Sequence, residues 1–418
     1  MSDSTKKAST KGAAATVAIV LVTSLFFVWG LAMNLVSALN APLANYLELT
    51  TTQTSLMQVA YYGAYFVMAI PAGAIAKRYG YKGGVIAGLA LFVIGSIITV
   101  PATNAASFGL FLVSTFVVAA GATTLEANCN PYITKLGDEK HESMRLNLAQ
   151  SFNGVGSIVG PLIMAQILST TVAVGQPGFA EAKAAFLGST RGIYIVIAIA
   201  LAIMIAVFVF VKLPTPPSDI EEAGSEKAAK GGALKKPYFK LGVLAEFFYV
   251  GIQTVGFSLF ATYATKVAGL ELSLATGLVS ALSLLFTIGR FASTPLLAKK
   301  DPGKLLGIYM TGAAICFFLV FLDLGVVSVA AFVISYLFMS IGYPTIFSLS
   351  LRGMSGNETK TGSSIITMSI VGGAIVPVIV SAIGDACGLP IAMLVTVPCL
   401  AYCAWYGFAG SKIGFERE

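Results

Sequence analysis

The sequence predicts an all-α integral membrane protein, with twelve transmembrane helices in two pseudo-symmetric six-helix bundles. Three observations carry this expectation. The 418 residues are 56% hydrophobic and only 11% Asp, Glu, Lys and Arg, where a soluble domain carries roughly 25% charged residues, and the mean hydropathy is +0.85. The apolar residues fall into twelve runs, each near the ~20 residues that cross a ~30 Å hydrocarbon core. The first half of the chain is echoed in the second.

The runs lie at 17–39, 54–76, 83–102, 107–134, 144–169, 191–212, 241–265, 272–297, 305–322, 327–350, 362–384 and 390–409. Ahead of the first, the chain is polar and basic up to Lys11, and the run is long, which reads as a retained helix rather than a cleaved signal. With both termini placed in the cytoplasm, all 26 Lys and Arg except Lys183, Arg191 and Lys266 fall on the cytoplasmic side or at the helix ends flanking it. That asymmetry orients a multi-pass protein of the cell (inner) membrane.

The longest hydrophilic connection, residues 212–237, mixes Pro, Gly and both charges and reads as a cytoplasmic linker between bundles at 1–211 and 238–418. "AKRYGYK" (76–82) after the second span is matched by "AKKDPGK" (298–304) after the eighth. "NPY" (130–132) in the fourth span pairs with "YPT" (343–345) in the tenth, and "GSIVGPLI" (156–163) with "GAIVPVIV" (373–380). Parallel six-helix repeats form a transporter architecture whose substrate site lies between the halves near the midplane.

Other classes lack their chemistry. The net charge of +7 follows from topology, and no basic stripe is interleaved with aromatics as a nucleic-acid surface needs. Cys129, Cys316, Cys387, Cys399 and Cys403 lie in apolar stretches without metal-ligand spacing. His141, the one histidine, is in a charged loop, so a His-based metal site or a Ser-His-Asp triad cannot be assembled. Neither enzymatic activity nor a cofactor or metal is expected.

Polar residues inside spanning helices face a bundle interior or a wet cavity, and helical spacing shows which share a face. Asn34 and Ser37 do so in the first span, below Gly30. Thr123, Glu126 and Asn130 form a stripe in the fourth, and Asn147, Gln150, Asn153 and Ser157 another in the fifth. In the seventh, Glu246, Tyr249, Gln253 and Gly256 line up. Asn34 and Asn147 fit a helix–helix hydrogen bond as well as a ligand contact. Gln150 and Asn153 are two long amides on one face, suited to gripping several hydroxyls. Glu246 lies within two turns of a helix start, where dipole and water ease a carboxylate, and reads as structural. Glu126 has no such relief: it is several turns from either end of its span, with no basic residue within a turn of it. A carboxylate so placed takes up a proton, as a proton-coupled carrier requires.

The loop "GAIAKRYGYKGG" (73–84) resembles the signature G-x-x-x-D-R-x-G-R-R/K of the major facilitator superfamily through Gly73, Arg78, Gly80 and Lys82; Lys77 and Tyr81 depart from it. The segments "SLFFVWGLAMNL" (24–35), "LEANCNPYITKLG" (125–137), "RLNLAQSFNGVGSIVG" (145–160), "YPTIFSLSL" (343–351) and "GSSIITMSIVGGAIVPVI" (362–379) are similar to the L-fucose:proton symporter family, which includes glucose/galactose and N-acetylglucosamine permeases. The resemblance implies sugar transport by alternating access. It implies proton coupling at Glu126 and substrate contacts at Gln150, Asn153 and Tyr343. In the first span Asn34 is retained, but Ser37 stands where the fucose symporter carries an acid.

The expected function is proton-coupled import of a neutral hexose or deoxyhexose. Glu126 is the proton site, and Asn34, Ser37, Asn130, Gln150, Asn153, Gln253 and Tyr343 are the substrate-binding candidates. Arg78, Lys82, Arg145 and Arg290 are the gating candidates. The expected partners are a sugar, a proton and the bilayer, with a monomer sufficient and no nucleic acid involved. Sodium coupling, a small-solute efflux or exchange carrier, and a non-transporting nutrient sensor remain as alternatives.

Overall fold

The computed structural model describes residues 2–167, 172, 174–216, 232–354 and 356–415. Of the linker at 212–237, residues 217–231 lie outside the described residues. The protein is all-helical, with no strand among the described residues. Helices α1 (Ser2–Tyr46), α2 (51–79) and α3 (81–104) are followed by α4 (Phe108–Lys135), α5 (Glu142–Ile167) and α6 (Phe179–Phe210). The second half holds α7 (Pro237–Lys266), α8 (Leu272–Lys299), α9 (Pro302–Phe321), α10 (Val326–Ser350), α11 (Gly356–Cys387) and α12 (Leu389–Lys412).

The loop expected between the second and third spans is only a break. Helix runs through both of its flanks, and Gly80 alone leaves helical geometry, at φ 69° and ψ 177°. A Cβ would strain that left-handed φ, so glycine makes the turn. The corresponding turn after α8 is built differently: Asp301 caps α9 by accepting from the backbone N–H of Lys304 at 2.9 Å, and Pro302 follows at the first helical position.

By their internal packing, residues 1–129 and 155–214 form one compact unit, and 130–154 and 215–418 a second. In the first, α6 lies along the α2–α3 pair. It is the least buried of the apolar helices and exposes Val196, Ile199, Ile203 and Phe210, the pattern of a helix turned to lipid. α3 and α4 cross at backbone contact: a Cβ on Gly121 would stand 2.6 Å from the Phe92 nitrogen, and one on Gly88 would stand 2.9 Å from the Leu125 nitrogen. Without a hydrophobic drive between helices in lipid, such small-residue contacts supply the packing.

In the second unit α7 is central, packing on α8, α10, α11 and α12, while α9 packs on α10 and α12. α10 is interrupted, with helical segments Val326–Met339 and Gly342–Ser350. Pro344 has no N–H to offer the Ser340 carbonyl one turn before it. Freed carbonyls in a membrane helix need substitute donors, and two are supplied. Arg290 donates from Nε to the Ser340 carbonyl at 3.1 Å, and the Tyr249 hydroxyl donates to that of Met339 at 2.6 Å.

Candidate functional site

The interruption in α10 places Tyr343 at the start of the helical segment that follows it. Its hydroxyl accepts from Asn130 Nδ2 at 3.0 Å, and Asn130 Oδ1 accepts from Gln150 Nε2 at 3.4 Å. Residues predicted separately on the fourth, fifth and tenth spans are thus brought into one amide–phenol cluster. Asn130 is wholly buried, Gln150 and Tyr343 nearly so, and Tyr343 stacks on Phe347. Asn153, one turn beyond Gln150, is half-buried.

Arg290 braces this cluster. Besides the Ser340 carbonyl, its Nη1 donates to the Gln150 carbonyl at 2.8 Å, and its guanidinium lies 4.4 Å from the Phe286 ring centroid. Asn147 completes the seam by donating to the Arg290 carbonyl and to Thr294 Oγ1. Ser143 and Ser348 share a buried hydroxyl contact of 2.6 Å two turns away. Arg290 was expected among the gating residues and Asn147 as a helix–helix contact; Ser143, Thr294 and Ser348 were not singled out from the sequence.

In the first unit, Asn34 donates to the Gly30 carbonyl at 2.8 Å and to Ser157 Oγ at 2.9 Å, tying α1 to α5. A Cβ on nearby Gly156 would collide with the Phe27 carbonyl oxygen, so the small-residue run of α5 serves close packing there. The side chain of Ser37 lies outside the described residues. Glu126 is 7% exposed and lies within electrostatic range of Tyr61 on α2 and of Cys129. Tyr61 and its neighbours on α2 were not singled out from sequence, although "AYYGAY" (60–65) is an aromatic run in an otherwise aliphatic helix.

Gln253 on α7 is partly buried, and its backbone carbonyl accepts from the Tyr336 hydroxyl at 2.6 Å. Glu246 differs from its sequence reading. It is fully buried, without the water that the start of α7 promised, because Gly242 lets Ser350 and Tyr406 close over that turn.

The gating candidates divide by environment. Arg78 is exposed and lies over the ring of Tyr79. Lys82 donates to the carbonyls of Val209 and Val211, each at 2.9 Å, capping the end of α6. Arg145 does the same for α4: it donates to the carbonyls of Ile133 and Thr134, and its Nη1 holds Asp138 at 3.1 Å. Burial alone would push the Asp138 carboxyl up; the hydrogen bond and charge of His141 and the Arg145 guanidinium outweigh it and hold it below its ordinary value. Beside them Lys135 and Glu142 form a buried ion pair of 2.9 Å.

Amides, hydroxyls and aromatic rings around few deep charges suit an uncharged, polyhydroxylated ligand. Among the described residues no cluster of three or more His, Cys, Asp or Glu is placed to hold a metal. The sequence matches the family model described as Major Facilitator Superfamily over residues 20–377. It is 36% identical over 94% of both chains to a "Glucose/galactose transporter" of Brucella abortus biovar 1 (strain 9-941). To the "L-fucose-proton symporter" of Escherichia coli (strain K12) it is 34% identical, over 91% of this chain and 90% of that one. The crystal structure of the Escherichia coli fucose:proton symporter superposes with a TM-score of 0.85 at 32% identity, covering 94% of this chain and 98% of that one.

Proposed function

The chain belongs to the major facilitator superfamily, a multi-pass membrane protein and not an enzyme, and from that premise we propose that it imports a neutral hexose or deoxyhexose by proton symport. The observation that carries this reading is the buried cluster of Asn130, Gln150 and Tyr343 one helical turn beyond Glu126 on α4. Sugar hydroxyls replace the mutual hydrogen bonds of these side chains, with Asn153, Asn34, Ser37 and Gln253 as further contacts. Relatives named for L-fucose and for glucose and galactose support this substrate class.

Glu126 is the proton site. Neutral, it tolerates the dry environment of a closed carrier; charged, it needs water or a donor. With Ser37 at the position of the fucose symporter's other acid, the proton has one stop here. Alternating access follows from movement of the halves 1–211 and 238–418, joined through 212–237. Arg290 and Arg145 position the cluster and the end of α4, and Arg78 and Lys82 act at the α2–α3 turn. The protein works as a monomer in the cell (inner) membrane with both termini in the cytoplasm.

Uptake of radiolabelled L-fucose, D-glucose and D-galactose into proteoliposomes tests this reading. An inward proton gradient should drive accumulation of at least one of them, and the same vesicles should alkalinise outside as sugar enters. Accumulation that follows a sodium gradient and ignores a proton gradient would move the coupling to sodium. Absence of uptake or exchange for every neutral sugar would overturn the substrate class.

A further inference from the structure

Helix α2 carries a polar and aromatic stripe that the site above does not use. Gln58, Tyr61, Tyr62 and Tyr65 follow one another at i, i+3, i+4 and i+7, so they share one side of the helix. Burial deepens along the stripe: Gln58 is exposed, Tyr61 and Tyr62 are half-buried, and Tyr65 is buried. The side that resembles a lipid face lies elsewhere on the helix, where Leu56, Val59, Phe66, Val67 and Ile70 are all more than two-fifths exposed.

The rings are in mutual contact, with centroids 5.0 Å apart for Tyr61–Tyr62 and 5.3 Å for Tyr61–Tyr65. Tyr61 packs against the small buried cluster that Ala64 of α2 forms with Ala119 and Ala120 of α4. Continuing from Ala119 at helical spacing, that face of α4 passes Thr123 and reaches Glu126, which lies within electrostatic range of Tyr61. An amide and three phenols in a row gain nothing from hydrocarbon. Polar groups in spanning helices face an interior or a water-filled space, and aromatic faces suit the apolar C–H face of a sugar ring while hydroxyl and amide groups bind its rim.

We propose that Gln58, Tyr61, Tyr62 and Tyr65 form a second sugar-contacting surface, an approach subsite leading from the N-terminal end of α2 toward Glu126. The proposal rests on the reading of the protein as a sugar carrier and adds a place where the sugar stacks on its way toward Glu126. The N-terminal end of α2 is the outer end in the topology set by the basic residues, so this subsite meets sugar first on import.

Cysteine accessibility tests it. Gln58→Cys is made in a Cys387→Ser background, since Cys387 is exposed, and treated in proteoliposomes with a charged, membrane-impermeant thiol reagent. Val59→Cys, on the lipid-like face, is the comparison. The expected result is rapid modification of Gln58→Cys, slow modification of Val59→Cys, and at least a threefold slowing at Gln58→Cys by saturating transported sugar. Tyr62→Ala should raise the half-saturating sugar concentration about three- to tenfold, and Tyr62→Phe, which keeps the ring, much less. An unreactive Gln58→Cys, or a reaction that transported sugar does not slow, overturns the subsite. Sugar uptake measured in the same vesicles reports on the transport reading separately, so the two failures are distinguishable.

Discussion

The middle of α4, from Thr123 to Asn128, and the stretch that runs from Asn130 into α5 put their polar side chains to different uses. Before Asn130, Thr123 and Thr124 donate to the carbonyls of Ala119 and Ala120 in their own helix, at 2.8 Å each, and Asn128 donates to that of Thr124 at 2.7 Å. From Asn130 onward, and into α5, several polar side chains reach other helices, Asn130 to Tyr343, Ser143 to Ser348 and Asn147 to Thr294, while Thr134 and Ser151 still donate to carbonyls of their own helices. The cause is the neighbour. Upstream, glycines of α3 bring its backbone against α4, so that a Cβ on Gly84 would overlap the amide of Asn128. From Thr123 to Asn128, with little room for a partner, polar groups turn back on their own turn, as serine and threonine do in membrane helices, whereas Ser114 two turns earlier still reaches Thr99 and the Gly95 carbonyl of α3. Downstream, Pro344 opens α10 and its surroundings must supply donors. The stripe Thr123–Glu126–Asn130, continuous in the sequence, is therefore divided, and Glu126 is its one deep acid.

The largest effect should come from neutralising that acid. Glu126→Gln, which mimics the protonated form, should bind and exchange sugar across the membrane yet fail to concentrate it, because exchange needs no deprotonation and uphill transport does. Counterflow and proton-driven uptake in the same proteoliposomes measure both. Accumulation by Glu126→Gln against a gradient would assign the proton to another group.

Next comes the brace on the other side of the comparison. Arg290→Ala orphans the Ser340 carbonyl and takes a second donor from the Gln150 carbonyl in a dry setting, and should lower stability by about 3 kcal/mol, reckoned as two lost charge-assisted hydrogen bonds. Thermal unfolding in detergent reads this loss. Adding Pro344→Ala, which restores an N–H one turn after Ser340, should recover part of it. No recovery would mean that the Arg290–Ser340 contact does not answer the proline.

Gln150→Ala and Asn153→Ala should each weaken sugar binding by about one to two orders of magnitude, the loss of one or two hydrogen bonds at ~1–1.5 kcal/mol each. Equilibrium binding is the measurement, and wild-type affinity in both variants would remove them from the site. Smaller still, Arg78→Ala should slow net transport while leaving affinity within about threefold, since Arg78 is exposed and far from the buried amides in sequence and environment; an unchanged turnover rate counts against a role at the turn. Thr123→Val should change affinity by less than about twofold, because its hydroxyl already has an intrahelical acceptor and contributes about as much to α4 as a methyl group would. A large loss there would show that Thr123 reaches beyond its helix and would erase the contrast.

Legibility followed the range of the physics. Asn130, Gln150 and Tyr343 were each singled out, two by helical spacing and one by family resemblance, but their meeting was not. The prolines at 131 and 344 were visible, while the donors that answer Pro344 came from α7 and α8. Glu246 shows the same limit in reverse. Its position near a helix start predicted water, yet Ser350 and Tyr406 seal it. The tyrosines of α2 were passed over because aromatic residues in a spanning helix read as apolar bulk until a neighbouring acid gives their hydroxyls a purpose.

By itself the sequence determined that the chain lies in a membrane, where most of its helices begin and end to within a few residues (α1 and α6 start well before their apolar runs, at Ser2 and Phe179), and which family it belongs to. These depend on local sums: the transfer of some twenty side chains into hydrocarbon, and motifs read in order along the chain. Only the tertiary structure decided which polar groups satisfy themselves and which reach across. That choice depends on whether a facing helix offers a bare glycine backbone, as Gly88 does to Leu125, or a freed carbonyl, as Ser340 does to Arg290. A hydrogen bond is made at about 3 Å, and no pattern along one helix fixes what stands 3 Å away on another.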